Sequence, residues 1–251
     1  MVRQQVTTQS NKSEKKYWAI IPAAGVGSRM KSQTPKQYLH LLNKPIIEHS
    51  LQRLLDHPEI SGLVVALGDH DAYWTDVKLT TDKPVIRVNG GEERCHSVLN
   101  ALNELLMNEN QELGVNATDW VLVHDAARPC VRHADIDLLI SQLDQHDVGG
   151  LLALPVRDTM KRQNASQHVS ETVDRNGLWH ALTPQMFPLK ILRDAIHDAI
   201  ESDSMITDES SAIERLGKQP LLVEGHEDNI KVTRPVDLNL AEMYMKAQLN
   251  E

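Results

Sequence analysis

The chain has 251 residues, enough to bury the core of one large domain. Hydrophobic residues at 41% and charged residues at 24% are ordinary for a globular protein, and a formal net charge of −9 argues against general nucleic-acid affinity. No apolar run reaches bilayer-spanning length, and the polar start MVRQQVTTQSNKSEKK lacks the apolar centre of a secretory signal. Residues 1–16 therefore read as a disordered tail ahead of a single domain over 17–251. Cys95 and Cys130 are too few for a disulfide framework, so a reduced, cytoplasmic setting is expected.

Residues 18–21 (WAII) form the apolar run of a strand buried on both faces, ended by Pro22, which cannot donate to a ladder. Ala23, Ala24, Gly25, Val26 and Gly27 follow with almost no side-chain bulk. Backbone N–H groups in such a loop can approach a ligand closely and form a concavity that suits phosphate. Arg29, Lys31 and Lys36 place positive charge beside it. Two named motifs fail here. A P-loop needs a glycine followed by Lys-Ser or Lys-Thr, and Gly27 is followed by Ser28. A dinucleotide fingerprint needs a third glycine where Met30 stands. A glycine pair that merely shapes a turn is the plain alternative.

Lys44-Pro45 opens a helix with Ile46, Ile47, Leu51, Leu54 and Leu55 at helical spacing, closed by His57-Pro58. Residues 63–67 and 85–88 read as strands, the latter ending at Asn89-Gly90-Gly91, and 92–107 as a helix inward through Val98, Leu102, Leu105 and Leu106. Residues 120–123 (WVLV) form a strand running into His124-Asp125-Ala126-Ala127-Arg128-Pro129. Ile136, Leu139, Ile140 and Leu143 mark a helix, and 148–154 a strand. This alternation implies a Rossmann-like α/β fold, a mostly parallel sheet with helices on both faces. It breaks over 155–184. There, polar strand-like runs at 156–162 and 168–173 flank a turn, giving a projecting β-hairpin arm. An isolated hairpin is marginal in water, so it must pack on a partner subunit or back on its own domain. Helices are expected at 189–200 and 209–216, the second capped by Gly217, and short strands at 221–223 and 230–232. Pro235 begins a last helix with Leu238, Leu240, Ala241 and Tyr244 inward.

In an open parallel sheet the ligand lies beyond the carboxyl ends of the strands, where loops 23–36, 90–97 and 125–128 converge. Gly90-Gly91 allows close approach to a base or ribose and Ser97 adds a hydroxyl, or else the pair is a plain turn before a helix. Asp125, at the end of an apolar strand beside a phosphate loop, suits Mg²⁺, which is held by one or two carboxylates together with substrate phosphates. Helix capping or ion pairing is the alternative. Asp228 is a second carboxylate candidate, while His124 packs or orients rather than binding metal.

The motifs PAAGVGSRM with PKQY, GGEERCHSV, VHDAARP, PVRDTMKR, TVDRNGLWHALTPQ, ITDESSAIE and DNIKVTRPVDL resemble those of the 2-C-methyl-D-erythritol 4-phosphate cytidylyltransferases. The likeness runs from about Trp18 to Tyr244, and the arm with TVDRNGLWHALTPQ is its most specific part. The resemblance implies CTP and a sugar-alcohol phosphate meeting over Mg²⁺ and leaving as a CDP-alcohol and pyrophosphate, in isoprenoid precursor biosynthesis. It implies that Ala23, Ala24, Gly25 and Gly27 cradle the triphosphate, that Arg29, Lys36 and Lys231 neutralise the reacting phosphates, and that Gly91 and Ser97 contact cytidine. Asp125 and Asp228 would serve the metal, and Thr159, Arg175, Thr183 and Thr207 the methylerythritol phosphate. It further implies a homodimer whose 155–184 arms cross, so that Arg175 serves the neighbouring site. The competing readings are a cytidylyltransferase for another acceptor such as ribitol 5-phosphate, an NAD(P)-linked oxidoreductase, and a non-catalytic nucleotide sensor.

Overall fold

The computed structural model describes residues 15–25, 34–107 and 112–249. Five strands of the central sheet alternate with helices as the periodicity predicts: β1 (Tyr17–Pro22), β4 (Ile60–Leu67), β5 (Val85–Asn89), β6 (Trp120–Val123) and β7 (Gly150–Pro155). Two-residue strands β2 (His40–Leu41) and β3 (Lys44–Pro45) pair by themselves, and β8 (Met160–Gln163) pairs with β9 (Val169–Val173) as the hairpin arm. With β10 (Trp179–Pro188) and β11 (Leu221–Glu224), the seven-stranded sheet runs β11-β7-β10-β6-β1-β4-β5. All its pairs are parallel except those of β10, which lies antiparallel to both β6 and β7.

Alternation along the buried strands sorts side chains onto two faces. Tyr17, Ala19 and Ile21 of β1 join Leu63, Val65, Trp120 and Leu122 on one side. Helices α1 (Ile46–Leu55) and α3 (His133–Leu143) cover that face through Ile47, Leu51, Leu54, Ile136, Leu139 and Leu143. Trp18, Ile20, Val64, Val121 and Val123 face the other side, under α2 (Arg94–Leu106), α4 (Leu189–Glu201) and α5 (Glu209–Glu214). A third cluster of Leu41, Ile46, Ala127, Cys130, Val232, Ala241 and Met245 docks α6 (Pro235–Gln248) onto the loop after β6.

Five expectations need correction. Residues 179–188 form a central strand, hidden in the sequence because Pro184 argues against an interior strand. The ladder tolerates the proline because pairing with β7 shifts register between Ala181 and Gln185, where no donor is needed. Residues 230–232 are not a strand; their tie to the fold is the Val232 N–H donating to the Ala127 carbonyl, 2.8 Å. The first arm strand spans only Met160–Gln163 instead of 156–162. On α6, Leu240 is exposed and Met245 takes the inward position, four residues beyond Ala241. Lys15 and Lys16, expected in the tail, are tied down: Lys15 Nζ lies 2.9 Å from Asp144 Oδ1, and Lys16 Nζ donates to the Leu113 carbonyl at 2.6 Å.

Every residue of β8 and β9 is exposed except partly covered Val173, so the arm does not fold back on its own domain. At the other end of β10 the chain is crowded. Gly149 has φ +105, and a Cβ there would lie 2.4 Å from the Met186 carbonyl and 2.6 Å from the Phe187 ring. Gly149→Ala combines overpacking with a backbone conformation closed to L side chains, a cost of about 3 kcal/mol. Calorimetry should show its melting temperature lowered by about 6–12 °C, and an unchanged value would contradict this packing.

Candidate functional site

A cavity of about 190 Å³ opens at the carboxyl ends of β1, β5 and β6. Its wall brings together Ala23, Ala24, Gly25, Lys36, Gly91, Ser97, Asp125 and Lys231 from distant parts of the chain. The first loop is anchored at both edges: the Ala23 N–H donates to the Ala66 carbonyl at 2.8 Å, and Gln37 Nε2 donates to the Ala23 and Gly25 carbonyls at 2.8 and 3.1 Å. Gly27 and Arg29 lie outside the described residues.

Gly90 sits against this loop, where a Cβ would come 2.2 Å from the Ala24 Cβ. The Gly91 N–H donates to Ser97 Oγ, 3.1 Å, and Ser97 Oγ donates to the Glu93 carbonyl, 3.3 Å. The serine hydroxyl thus shapes the turn that opens α2 while facing the cavity, so both readings of this segment meet in one residue.

Asp125 carries the electrostatics of the site. Lys231 Nζ lies 2.9 Å from Oδ2, Arg128 Nε 3.2 Å from Oδ2, and Arg94 Nε 3.5 Å from Oδ1. Burial alone would raise the Asp125 pKa, but Arg94, Lys231 and Arg128 outweigh it and hold the carboxyl well below the usual carboxylate range. Arg94 is itself clamped by Glu209 in a two-pronged pair, Nη1–Oε1 2.6 Å and Nη2–Oε2 3.0 Å. Arg94, Arg128 and Glu209 were not among the sequence candidates. Arg94 and Arg128 lie within the converging loops 90–97 and 125–128, but Glu209 stands 115 residues from Arg94, so only the fold reveals that pairing.

A relay behind the carboxylate fixes its loop. The Asp125 N–H donates to Thr183 Oγ1, 3.1 Å, and that hydroxyl lies 3.0 Å from His124 Nδ1. His124 Nε2 lies 3.0 Å from the Arg128 carbonyl. A carbonyl only accepts, so Nε2 carries the hydrogen and Nδ1 accepts from Thr183. Thr183 is therefore built into the turn and does not line the cavity. Asp228 does not line it either: Oδ2 accepts from Arg132 Nη2 at 2.7 Å and Gln248 Nε2 at 2.8 Å, while buried Oδ1 has no partner. Thr207 lines a smaller neighbouring pocket with Arg94 and Glu209. Thr159 and Arg175 are exposed, away from the cavity wall, on segments flanking the arm strands, where Arg175 bonds the Arg157 carbonyl.

Residues 17–247 match the family model for 2-C-methyl-D-erythritol 4-phosphate cytidylyltransferase. The chain belongs to the 2-C-methyl-D-erythritol 4-phosphate cytidylyltransferase family. A relative of that name from Vibrio vulnificus (strain YJ016) is 54% identical over 230 residues, 92% of this chain and 94% of its own. The crystal structure of the Francisella tularensis 2-C-methyl-D-erythritol 4-phosphate cytidylyltransferase is similar with TM-score 0.77 and 35% identity, covering 92% of this chain and 100% of that one. A crystal structure of a 4-diphosphocytidyl-2C-methyl-D-erythritol synthase gives TM-score 0.78 and 36% identity, covering 92% and 99%. As a member of this cytidylyltransferase family the chain is a nucleotidyltransferase, and the oxidoreductase and sensor readings fall away.

Burial, with the nearby Arg128 guanidinium adding to it, pushes the His124 pKa down to about 4 against hydrogen bonds and Asp125 that favour the charged ring. The native state therefore binds fewer protons than the unfolded chain once pH falls below the ordinary histidine value. Stability is held above about pH 6.5 and lost as pH falls toward 4, by about 3 kcal/mol for a drop from 6.5 to about 4. Denaturant unfolding from pH 7 to 4 should show a steeper loss in the wild type than in His124→Gln. Parallel curves would contradict a buried neutral imidazole.

Proposed function

We propose that this cytidylyltransferase joins CTP to 2-C-methyl-D-erythritol 4-phosphate. A phosphate oxygen of the acceptor attacks the α-phosphorus, the α–β bridging bond breaks, and pyrophosphate leaves with the bond electrons. The observation that carries this reading is the meeting of Lys36, Asp125 and Lys231 with the bare Ala23-Ala24-Gly25 backbone in one cavity. Transfer of this kind is mostly positioning and charge neutralisation. The nucleophile is already an anion, so the work is to let two mutually repelling anions touch.

In this reading Ala23, Ala24, Gly25 and Gly27 hold the triphosphate through backbone N–H groups, and Arg29, Lys36 and Lys231 neutralise the charge gathering at the α-phosphorus. Gly91 and Ser97 seat the cytidine. Asp125, ionised and facing the cavity, fits the single hard-oxygen donor through which Mg²⁺ binds beside substrate phosphates. Asp228 stands as the second metal-site carboxylate on the resemblance, since it lies outside the cavity wall with Oδ1 buried and without a hydrogen-bond partner. Bound Mg²⁺ would supply charge neutralisation across the triphosphate.

Thr207 serves the acceptor from this protomer, with Thr183 acting behind the wall by fixing the Asp125 turn, and Thr159 and Arg175 serve it from the mate in a homodimer joined through the 155–184 arms. The exposed arm supports this, with Val169 at 64% and Leu178 at 37% exposure in and beside a hairpin that covers nothing of its own domain. A cytoplasmic setting is supported by two free thiols and by the absence, among the described residues, of any helix long and apolar enough to cross a membrane.

Pyrophosphate release, measured across the nucleoside triphosphates with methylerythritol phosphate and ribitol 5-phosphate as acceptors, tests the reading. CTP with methylerythritol phosphate should turn over fastest; preference for ribitol 5-phosphate would replace the proposed acceptor. Lys36→Ala should lower turnover by about 10²–10³, the scale for one lost transition-state charge donor, and near wild-type turnover would remove Lys36 from the mechanism. Arg175→Ala should raise the KM for the sugar phosphate more than that for CTP, and the reverse order would contradict its placement.

A further inference from the structure

The start of α2 carries three side chains of different donor type that the transfer chemistry does not use. Glu93 is the N-cap residue, and Cys95 and His96 follow in the first turn. Cys95 Sγ lies 3.8 Å from Glu93 Oε2 and 3.9 Å from His96 Nδ1, and a ligand atom from each of the three falls within 4.8 Å of the others. Zinc binds sulfur at about 2.3 Å and nitrogen or oxygen at about 2.0–2.2 Å, so the edges of its coordination tetrahedron span about 3.3–3.8 Å. The two sulfur separations already stand close to that edge length.

We propose that Glu93, Cys95 and His96 form a site for a borderline-soft divalent cation of the zinc class, with a fourth position open to water or an incoming anion. The donors are reachable from solvent, Glu93 being exposed and Cys95 and His96 half-buried. The stem of His96 is held on one side by Gly91, where a Cβ would come 2.3 Å from the His96 Cβ, so the ring starts from a constrained position. A thiol and an imidazole select against Mg²⁺, which prefers oxygen donors and retained waters, and this separates the site from the carboxylate at Asp125. Its position gives it consequence. Glu93 also lines the main cavity, and Arg94, between the ligands in sequence, pairs with Asp125 and Glu209. With Cys95 bound as thiolate and Glu93 as carboxylate, a divalent ion leaves the site neutral, so it removes the Glu93 charge from the rim and ties the turn that follows Gly91 to its helix.

This proposal stands on the three side chains alone and is independent of the acceptor and metal assignments above. Metal-free full-length protein without a polyhistidine tag is titrated with Co²⁺ in excess Mg²⁺, following near-ultraviolet thiolate-to-cobalt absorption. The band should saturate at one ion per chain, bleach on adding Zn²⁺, vanish in Cys95→Ser, and persist in Cys130→Ala, whose sulfur is buried elsewhere. His96→Ala should weaken Co²⁺ binding by about tenfold or more. A wild-type protein that develops no such band, or a band that survives Cys95→Ser, overturns the proposal.

Discussion

A buried carboxylate held among three cations is the constraint on which the rest of this structure depends. Asp125 sits at the end of the apolar strand β6 with Lys231, Arg128 and Arg94 within 2.9–3.5 Å of its oxygens. Burying an ion is costly unless it is paired and hydrogen-bonded. Here the pairing recruits the whole rim of the sheet. Arg94 brings the start of α2 and, through Glu209, α5. Arg128 reaches the Asn229 carbonyl at 2.7 Å, and Asn229 Nδ2 donates to the Thr183 carbonyl at 2.8 Å, which joins the segment before α6 to β10.

Lys36, Arg94 and Lys231 share the cavity wall with Asp125, Glu92 and Glu93, so its cations are matched by carboxylates before a ligand arrives. Such a cluster would repel itself if it were built from cations alone. The carboxylate holds it assembled before a ligand arrives, and a polyanion can then replace part of its role by drawing on the same side chains. Hydrogen-bond donors held in place in advance cost no reorganisation at the moment of reaction. The neutral His124 and the Thr183 hydroxyl behind Asp125 supply that rigidity without adding competing charge.

The half of the fold that obeys simple periodicity was legible in the sequence. β6 was read to the residue and β1, β4, β5 and β7 within a few residues, because continuous apolar runs leave little choice for strands buried on both faces. β10 was not legible, because its ten residues mix polar side chains with Pro184 and its antiparallel placement breaks the βαβ rhythm. Residues 230–232 have a strand's composition but serve as a tether to Ala127. At the site, Asp125, Lys36, Gly91 and Ser97 converge as strand-end reasoning expects, since topology alone carries strand ends to one rim, while Lys231 joins them as only the family resemblance implies. The partners of Asp125 were only half visible. Local context placed Arg94 and Arg128 near it, but nothing in sequence spacing announces a buried Glu209 behind Arg94.

Asp125 organises these cations and, in the proposed function, is the ionised donor that would link metal to nucleotide. Calorimetric titration of CTP into the wild type and Asp125→Asn, each with and without Mg²⁺, tests that link most directly. The account predicts that Mg²⁺ strengthens CTP binding in the wild type and that this gain is lost in Asp125→Asn. An equal Mg²⁺-dependent gain in both proteins would contradict it.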